Sequence, residues 1–231
     1  MITLITPTRN RPEAFALLET WIERQTYRGP LQWIVVNDGA TPYTYHHEQE
    51  VILRSPTQRE VHSLCSNVLA ALPKIQGDLA IVAEDDDWLA PQYIDRLIEL
   101  ADGRDLVGSA PATYYNLAGP SLRKLNNRRH CSFGQTAFRP AVAPLIESVA
   151  QRGDPYIDLA LWHEWTGSKV IAPNRPLLHV SVKSMPGEPG IGTGHAMRGS
   201  VDDLELTMLR TLIGDDADYY RPFARRVGAG A

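Results

Sequence analysis

Cysteine is nearly missing from this chain: Cys65 and Cys131 are the only two in 231 residues. At most one bridge can form, and their spacing matches neither a zinc site nor a redox pair, so both are expected as buried free thiols. Long apolar runs are missing as well. No stretch approaches the roughly 18 consecutive apolar residues of a membrane span, which excludes helical insertion. The opening MITLITPTRNRP has no basic n-region and no long apolar core, so no secretory leader is expected and the cytoplasm is the expected compartment. Nor is there an excess of positive charge. A formal net charge of −4 argues against sequence-independent phosphate contacts as the main source of affinity, although a local basic patch is still allowed. The dinucleotide fingerprint G-x-G-x-x-G does not occur, and there is no internal repeat.

What is there is an ordinary globular composition, 43% hydrophobic and 22% charged, in a length that suits one large α/β domain. Short apolar runs alternate with amphipathic stretches, the pattern of strands feeding helices in a mostly parallel sheet. Strands are expected at 1–6, 31–37, 51–54 and 79–83, and helices at 13–25, 59–72 and 91–100. Three antiparallel strands are expected at 105–108, 112–117 and 122–125. Helices at 141–151 and 156–165 follow, then a strand at 177–182. Helices expected at 201–213 and 215–225 close the chain.

The expected strand at 79–83 runs straight into Glu84-Asp85-Asp86-Asp87. Unit charges this close repel by about 1 kcal/mol per pair even in bulk water, and by more near a low-dielectric interior. A cation is therefore expected to compensate them. Mg²⁺ or Mn²⁺ takes hard oxygen ligands and bridges carboxylates to substrate phosphates. The C-terminal end of a strand is also where open α/β sheets bind ligands. Stabilisation of the following helix N-terminus accounts for one or two acids, not four in a row.

LAIVAEDDDWLAP (79–91) resembles the strand-plus-DXD segment of family 2 glycosyltransferases. MITLITPTRNRP (1–12) is similar to that family's opening strand and nucleotide-binding loop, and QWIVVNDG (32–39) to its second strand; Ser66-Asn67 falls where a family Asn sits. The resemblance implies a single GT-A (Rossmann-like) domain over 1–231, with a mixed, mostly parallel sheet flanked by helices. Residues 1–100 would form the nucleotide-binding half, and 101–231 the acceptor-binding half with a mobile Gly-rich loop at 184–199. It implies a nucleotide-sugar donor, most simply a UDP-sugar, a divalent metal, Mn²⁺ or Mg²⁺, and inversion at the anomeric carbon. Carried over by position, Thr6, Pro7, Thr8, Arg9, Asp38, Asn67, Asp85 and Asp86 would contact the donor, Asp38 at the base. Asp87 would be the principal metal ligand, with Asp86 beside it; the run of acids leaves Asp85 in contention by one register step. Asp38 also reads as a plain Asn-Asp-Gly turn, and Thr8-Arg9 as a loop leading into a helix.

An inverting transfer needs a general base for the acceptor hydroxyl. The family supplies it from an acidic pair before a helix. Residues 153–162 match that stretch without the usual Glu-Asp pair, leaving Asp158 and Asp154; Asp154 also suits helix capping. The resemblance further implies that Gly192 and Gly194 lie near the diphosphate and His195 on the metal, while an exposed linker is the plainer account of that loop. Arg128, Arg129 and His130 are either a solvated charge run or contacts to an anionic acceptor. A glycan or another hydroxyl-bearing acceptor is expected, a hydroxylated base in DNA being one such alternative. A sugar-nucleotide pyrophosphorylase and a non-catalytic sugar-nucleotide-binding module are the competing classes.

Overall fold

The structure is a computed structural model that describes residues 1–55, 63–125, 127–154, 156–188, 203 and 205–228, the last four as backbone. Gly192, Gly194 and His195 lie outside the described residues.

Strands and helices alternate through the opening of the chain, except that the second strand is followed directly by another strand. Strand β1 (Ile2–Thr8) feeds helix α1 (Pro12–Glu23), which has Pro12 in its first turn, where a missing N–H costs nothing. Strands β2 (Leu31–Asn37) and β3 (Gln49–Leu53), helix α2 (Ser63–Ala71) and strand β4 (Leu79–Val82) follow. Next come β5 (Asp87–Leu89), α3 (Tyr93–Leu100), β6 (Leu106–Ala110), β7 (Thr113–Asn116), β8 (Ser121–Lys124) and β9 (Thr136–Phe138). Helices α4 (Ala143–Gln151) and α5 (Ile157–Glu164) lead to β10 (Lys169–Pro173) and β11 (His179–Lys183). Helix α6 (Thr207–Ile213), a 3-10 stretch (Gly214–Tyr220) and α7 (Arg221–Gly228) come last.

The main sheet has seven strands in the order β10-β6-β9-β4-β1-β2-β3. All of its pairings are parallel except the two made by β9, so only β9 runs against the rest. Strand alternation assigns its side chains to two cores. Ile2 and Leu4 of β1, Trp33 and Val35 of β2 and Leu79 and Ile81 of β4 enter the core that holds α1, α3 and α6. Ile5, Ile34, Val36, Ala80 and Val82 point the other way, into the core of α2, α4 and α5. A sheet covered on both faces explains why these strands read as continuous apolar runs rather than alternating ones.

A second sheet, β5-β11-β7-β8, stands at the end of β4. Two expectations are corrected here. The strand at 105–108 does not join 112–117 and 122–125: β6 lies in the main sheet, parallel to β10, while β7 and β8 pair antiparallel in the second. The segment 215–225 is not one α-helix, because its first part is the tighter 3-10 form. Both cysteines are buried and free. Among the described residues no helix is long and apolar enough to cross a membrane.

Candidate active site

The chain passes outward from β1 to β2 and β3, then returns to place β4 on the other side of β1. Such a reversal leaves a crevice at the carboxyl ends of the strands, where open α/β sheets bind their ligands. Thr8 ends β1, Asp38 follows β2, and the four acids follow β4, so the candidate residues meet at this edge.

A tight turn spreads the acids apart. The Asp87 amide donates to Glu84 O (3.1 Å), closing the turn between β4 and β5. Asp85 points back toward β1. It accepts from Thr8 Oγ1 (2.6 Å) and pairs with Arg11 Nη2 (2.6 Å). Since the Thr8 proton goes to Asp85, the 2.8 Å contact between Thr8 Oγ1 and Tyr43 must have the phenol as donor. Asp86 lies between two cations, 3.0 Å from Arg11 Nη1 and 2.7 Å from Lys183 Nζ. Asp87 turns into the second sheet, where Ser181 Oγ donates to Oδ1 (2.8 Å) and His179 Nε2 lies 2.9 Å from Oδ2. A side chain on Gly134 would collide with that same Oδ2 and push the Asp87 carboxylate aside.

These internal cations leave the cluster short of positive charge. Burial raises Asp85 to about 6, with Asp86 adding to the shift and Arg11 opposing it. Burial raises Glu84 to about 8 despite Lys183, because Asp87, Asp86 and Asp158 all repel its charge. Glu84 still keeps 25% of its side chain exposed. One oxygen from each of Glu84, Asp86 and Asp87 can be chosen so that all three lie within 4.8 Å of one another, a group that could hold a metal ion. Asp85 stands outside this cage. The oxygen donors and the unmet charge both fit a hard divalent cation.

Asp38 is different. Its side chain is fully buried and neither oxygen makes a hydrogen bond among the described residues. Arg9 Nη1 and Arg54 Nη2 approach only to 3.9 and 3.8 Å. A buried carboxylate without donors is costly, and a ligand that brings N–H groups relieves that cost. Arg9 is held by Glu188, Nε to Oε1 at 3.0 Å, and Asn10 Nδ2 donates to Oε2 of the same residue at 2.9 Å. Asn67 accepts from Arg54 Nε (2.9 Å). Thr6 and Pro7 are buried in β1, and the Thr6 hydroxyl accepts from the Trp33 indole (3.0 Å).

Asp158 sits half-buried in the first turn of α5, near enough to Glu84 to raise it. Burial raises Asp158 itself, against the pull of its own helix amide and of His130. Asp154 Oδ1 accepts from the Tyr156 amide (2.9 Å), a turn contact that leads into α5. Arg128 and Arg129 are exposed and His130 is half-buried.

A family model described as Glycosyl transferase family 2 matches residues 3–152, well over half of the chain. The chain belongs to glycosyl transferase family 2. Solved structures agree on the fold. This family 2 chain superimposes on S. aureus TarS with a TM-score of 0.59 at 14% identity, over 79% of this chain and 37% of that one. The complex of TarS 1-349 with UDP-GlcNAc gives a TM-score of 0.57 at 11% identity, over 99% of this chain and 70% of that one. HddC from Yersinia pseudotuberculosis follows at 0.50 and 13% identity, over 75% and 90% of the two chains. The chain thus spans well under half of the full TarS chain. No curated protein sequence matches significantly.

The residues that reading the sequence missed are Arg11, Lys183, His179, Ser181 and Tyr43. Two of these signals were present. The segment His179-Val-Ser-Val-Lys183 lies on an expected strand, and period two puts its three polar residues on one face. Arg11 stands two residues beyond Arg9, in the loop already singled out.

Proposed function

We propose that this chain transfers a sugar from a nucleotide donor, most simply a UDP-sugar, to an acceptor hydroxyl with inversion at the anomeric carbon. The observation that carries this reading is the fully buried Asp38 carboxylate at the end of β2, without hydrogen-bond donors among the described residues and on the same sheet edge as the carboxylate cage. An imide or amide edge of a nucleobase supplies the missing donors. The structures of TarS with UDP and with UDP-GlcNAc support a diphosphate donor on this fold. The base would lie against Asp38, with Thr8 and Arg9 along the path from it to the acids.

Glu84, Asp86 and Asp87 would hold the divalent ion, Mn²⁺ or Mg²⁺. When bound, such an ion neutralises the charge that builds on the departing diphosphate. The rest belongs to the chain's own residues. Arg11 fixes Asp85 and Asp86 in place. Asp158, whose charge is felt at Glu84, takes the proton of the attacking hydroxyl, and the new bond forms on the face opposite the leaving group. His130 is near enough to Asp158 to pull on its charge, and with the exposed Arg128 and Arg129 before it in the chain it would suit an acceptor carrying negative charge. A glycan is the reading we favour. A hydroxylated base in DNA would show itself by binding that weakens steeply with salt.

Donor binding tests this proposal through Asp38. Asp38→Ala is expected to raise the Kd for UDP about 10- to 100-fold, the loss of hydrogen bonds to a charged group, with kcat little changed once donor saturates. Calorimetric titration with UDP reads it directly. Unchanged UDP affinity in Asp38→Ala would remove Asp38 from the donor site.

A further inference from the structure

Strand β11 carries His179, Ser181 and Lys183 on one face at successive two-residue steps. The first two contact Asp87. Lys183 reaches the turn instead, with Nζ 2.7 Å from Asp86 Oδ1 and 3.7 Å from Glu84 Oε2. These two carboxylates are members of the three-acid cage that could hold an ion. Lys183 is only 5% exposed, so this is not a loose surface pair. Its ammonium also stands over the Tyr114 ring, 5.9 Å from the centroid.

A tethered cation and a free one therefore address the same oxygens. The tethered one is always present; the free one must be recruited from solution. Both cannot pair with Asp86 Oδ1 at once, because like charges at that separation repel strongly where water is scarce.

We propose that Lys183 is the resident counter-ion of the carboxylate cage, occupying Asp86 until a divalent ion displaces its ammonium. This rests on reading the cage as the metal site. Its consequence is coupling between ion and donor. The displaced ammonium needs a new anion, and the donor's diphosphate provides one, so the ion binds weakly to the free protein and tightly together with UDP. In this account Lys183 is a positioning residue that sets metal affinity.

The test needs no turnover. Mn²⁺ binding to the full, donor-free chain is followed by the electron paramagnetic resonance signal of the free ion. Lys183→Met removes the charge and keeps the stem, and is expected to bind Mn²⁺ about tenfold tighter than the wild type or better. Lys183→Arg keeps the charge and is expected to stay near the wild-type value. Mn²⁺ affinity in Lys183→Met equal to or weaker than wild type would overturn the proposal. A measurement on the wild type covers a failure of Lys183→Met to fold. With lysine labelled at the side chain, adding Mg²⁺ and UDP should move the Lys183 Nζ resonance, and a resonance that stays put would refute displacement. UDP binding measured alone reports separately on the donor site: its loss counts against the proposed function and leaves the Mn²⁺ comparison standing.

Discussion

Asp158→Asn is expected to lower kcat about 10²- to 10⁴-fold while the Kd for UDP stays within a factor of about two, the signature of a lost general base. Three features single out Asp158. It sits in the first turn of α5, half-buried, with Oδ1 taken by its neighbour's amide at 2.8 Å. Its charge is felt at Glu84, although it is not one of the three acids of the cage. Burial raises it above its ordinary value, which makes it a stronger proton acceptor when ionised. The sign of the pH effect follows. A base must be deprotonated to work, so kcat/KM should climb with pH through the raised Asp158 value, and that limb should vanish in Asp158→Asn. Asp154 is the control. Its carboxylate closes the turn before α5, and Asp154→Asn should cost less than about tenfold in kcat. An Asp154→Asn variant that lost more activity than Asp158→Asn would reverse the assignment.

Arg11→Ala should destabilise the protein by about 3–5 kcal/mol, the usual result of leaving buried charge without its partner. Arg11 Nη2 and Nη1 hold Asp85 at 2.6 Å and Asp86 at 3.0 Å, and its side chain is only 14% exposed. Burial would lower the Arg11 guanidinium; Asp85, Asp86 and Glu84 overcome that and raise it. Removing it leaves Asp85 with the Thr8 hydroxyl and Asp86 with Lys183. Urea unfolding should show a midpoint lower by more than about 1 M, at the slopes normal for a domain of this size. Arg11→Lys keeps the charge but not the two-pronged fork, and should recover only part of the loss. A midpoint shift no larger than that of an exposed control such as Arg96→Ala would mean the acids are neutralised by other groups.

How much of this was legible beforehand depends on distance along the chain. The apolar run of β1, the helical spacing of α1 and the turn after Asn37 are local, and their residues name the element directly. The acids after β4 are local too, so the need for a cation was readable. The identity of the cations was not. Arg11 lies 75 residues from Asp86, and Lys183 lies 97 residues away on the other side. Only the fold, by setting β1 beside β4 and β11 beside β5, brings them together. The strands β9 and β10 escaped for a related reason. β9 has three residues, and β10 ends in Pro173, so neither carries a pattern that stands apart from a loop. The choice between Asp154 and Asp158 is open in the sequence because both are acids near one helix start; each accepts from a backbone amide in the fold, and what separates them is that the charge of Asp158 is felt at Glu84.

A crystal structure with UDP and Mn²⁺ tests the central claim most directly. The uracil edge is expected against Asp38, and the diphosphate is expected beside an ion held by Glu84, Asp86 and Asp87. UDP bound away from the carboxyl ends of β1, β2 and β4, or an ion held by other residues, would contradict it.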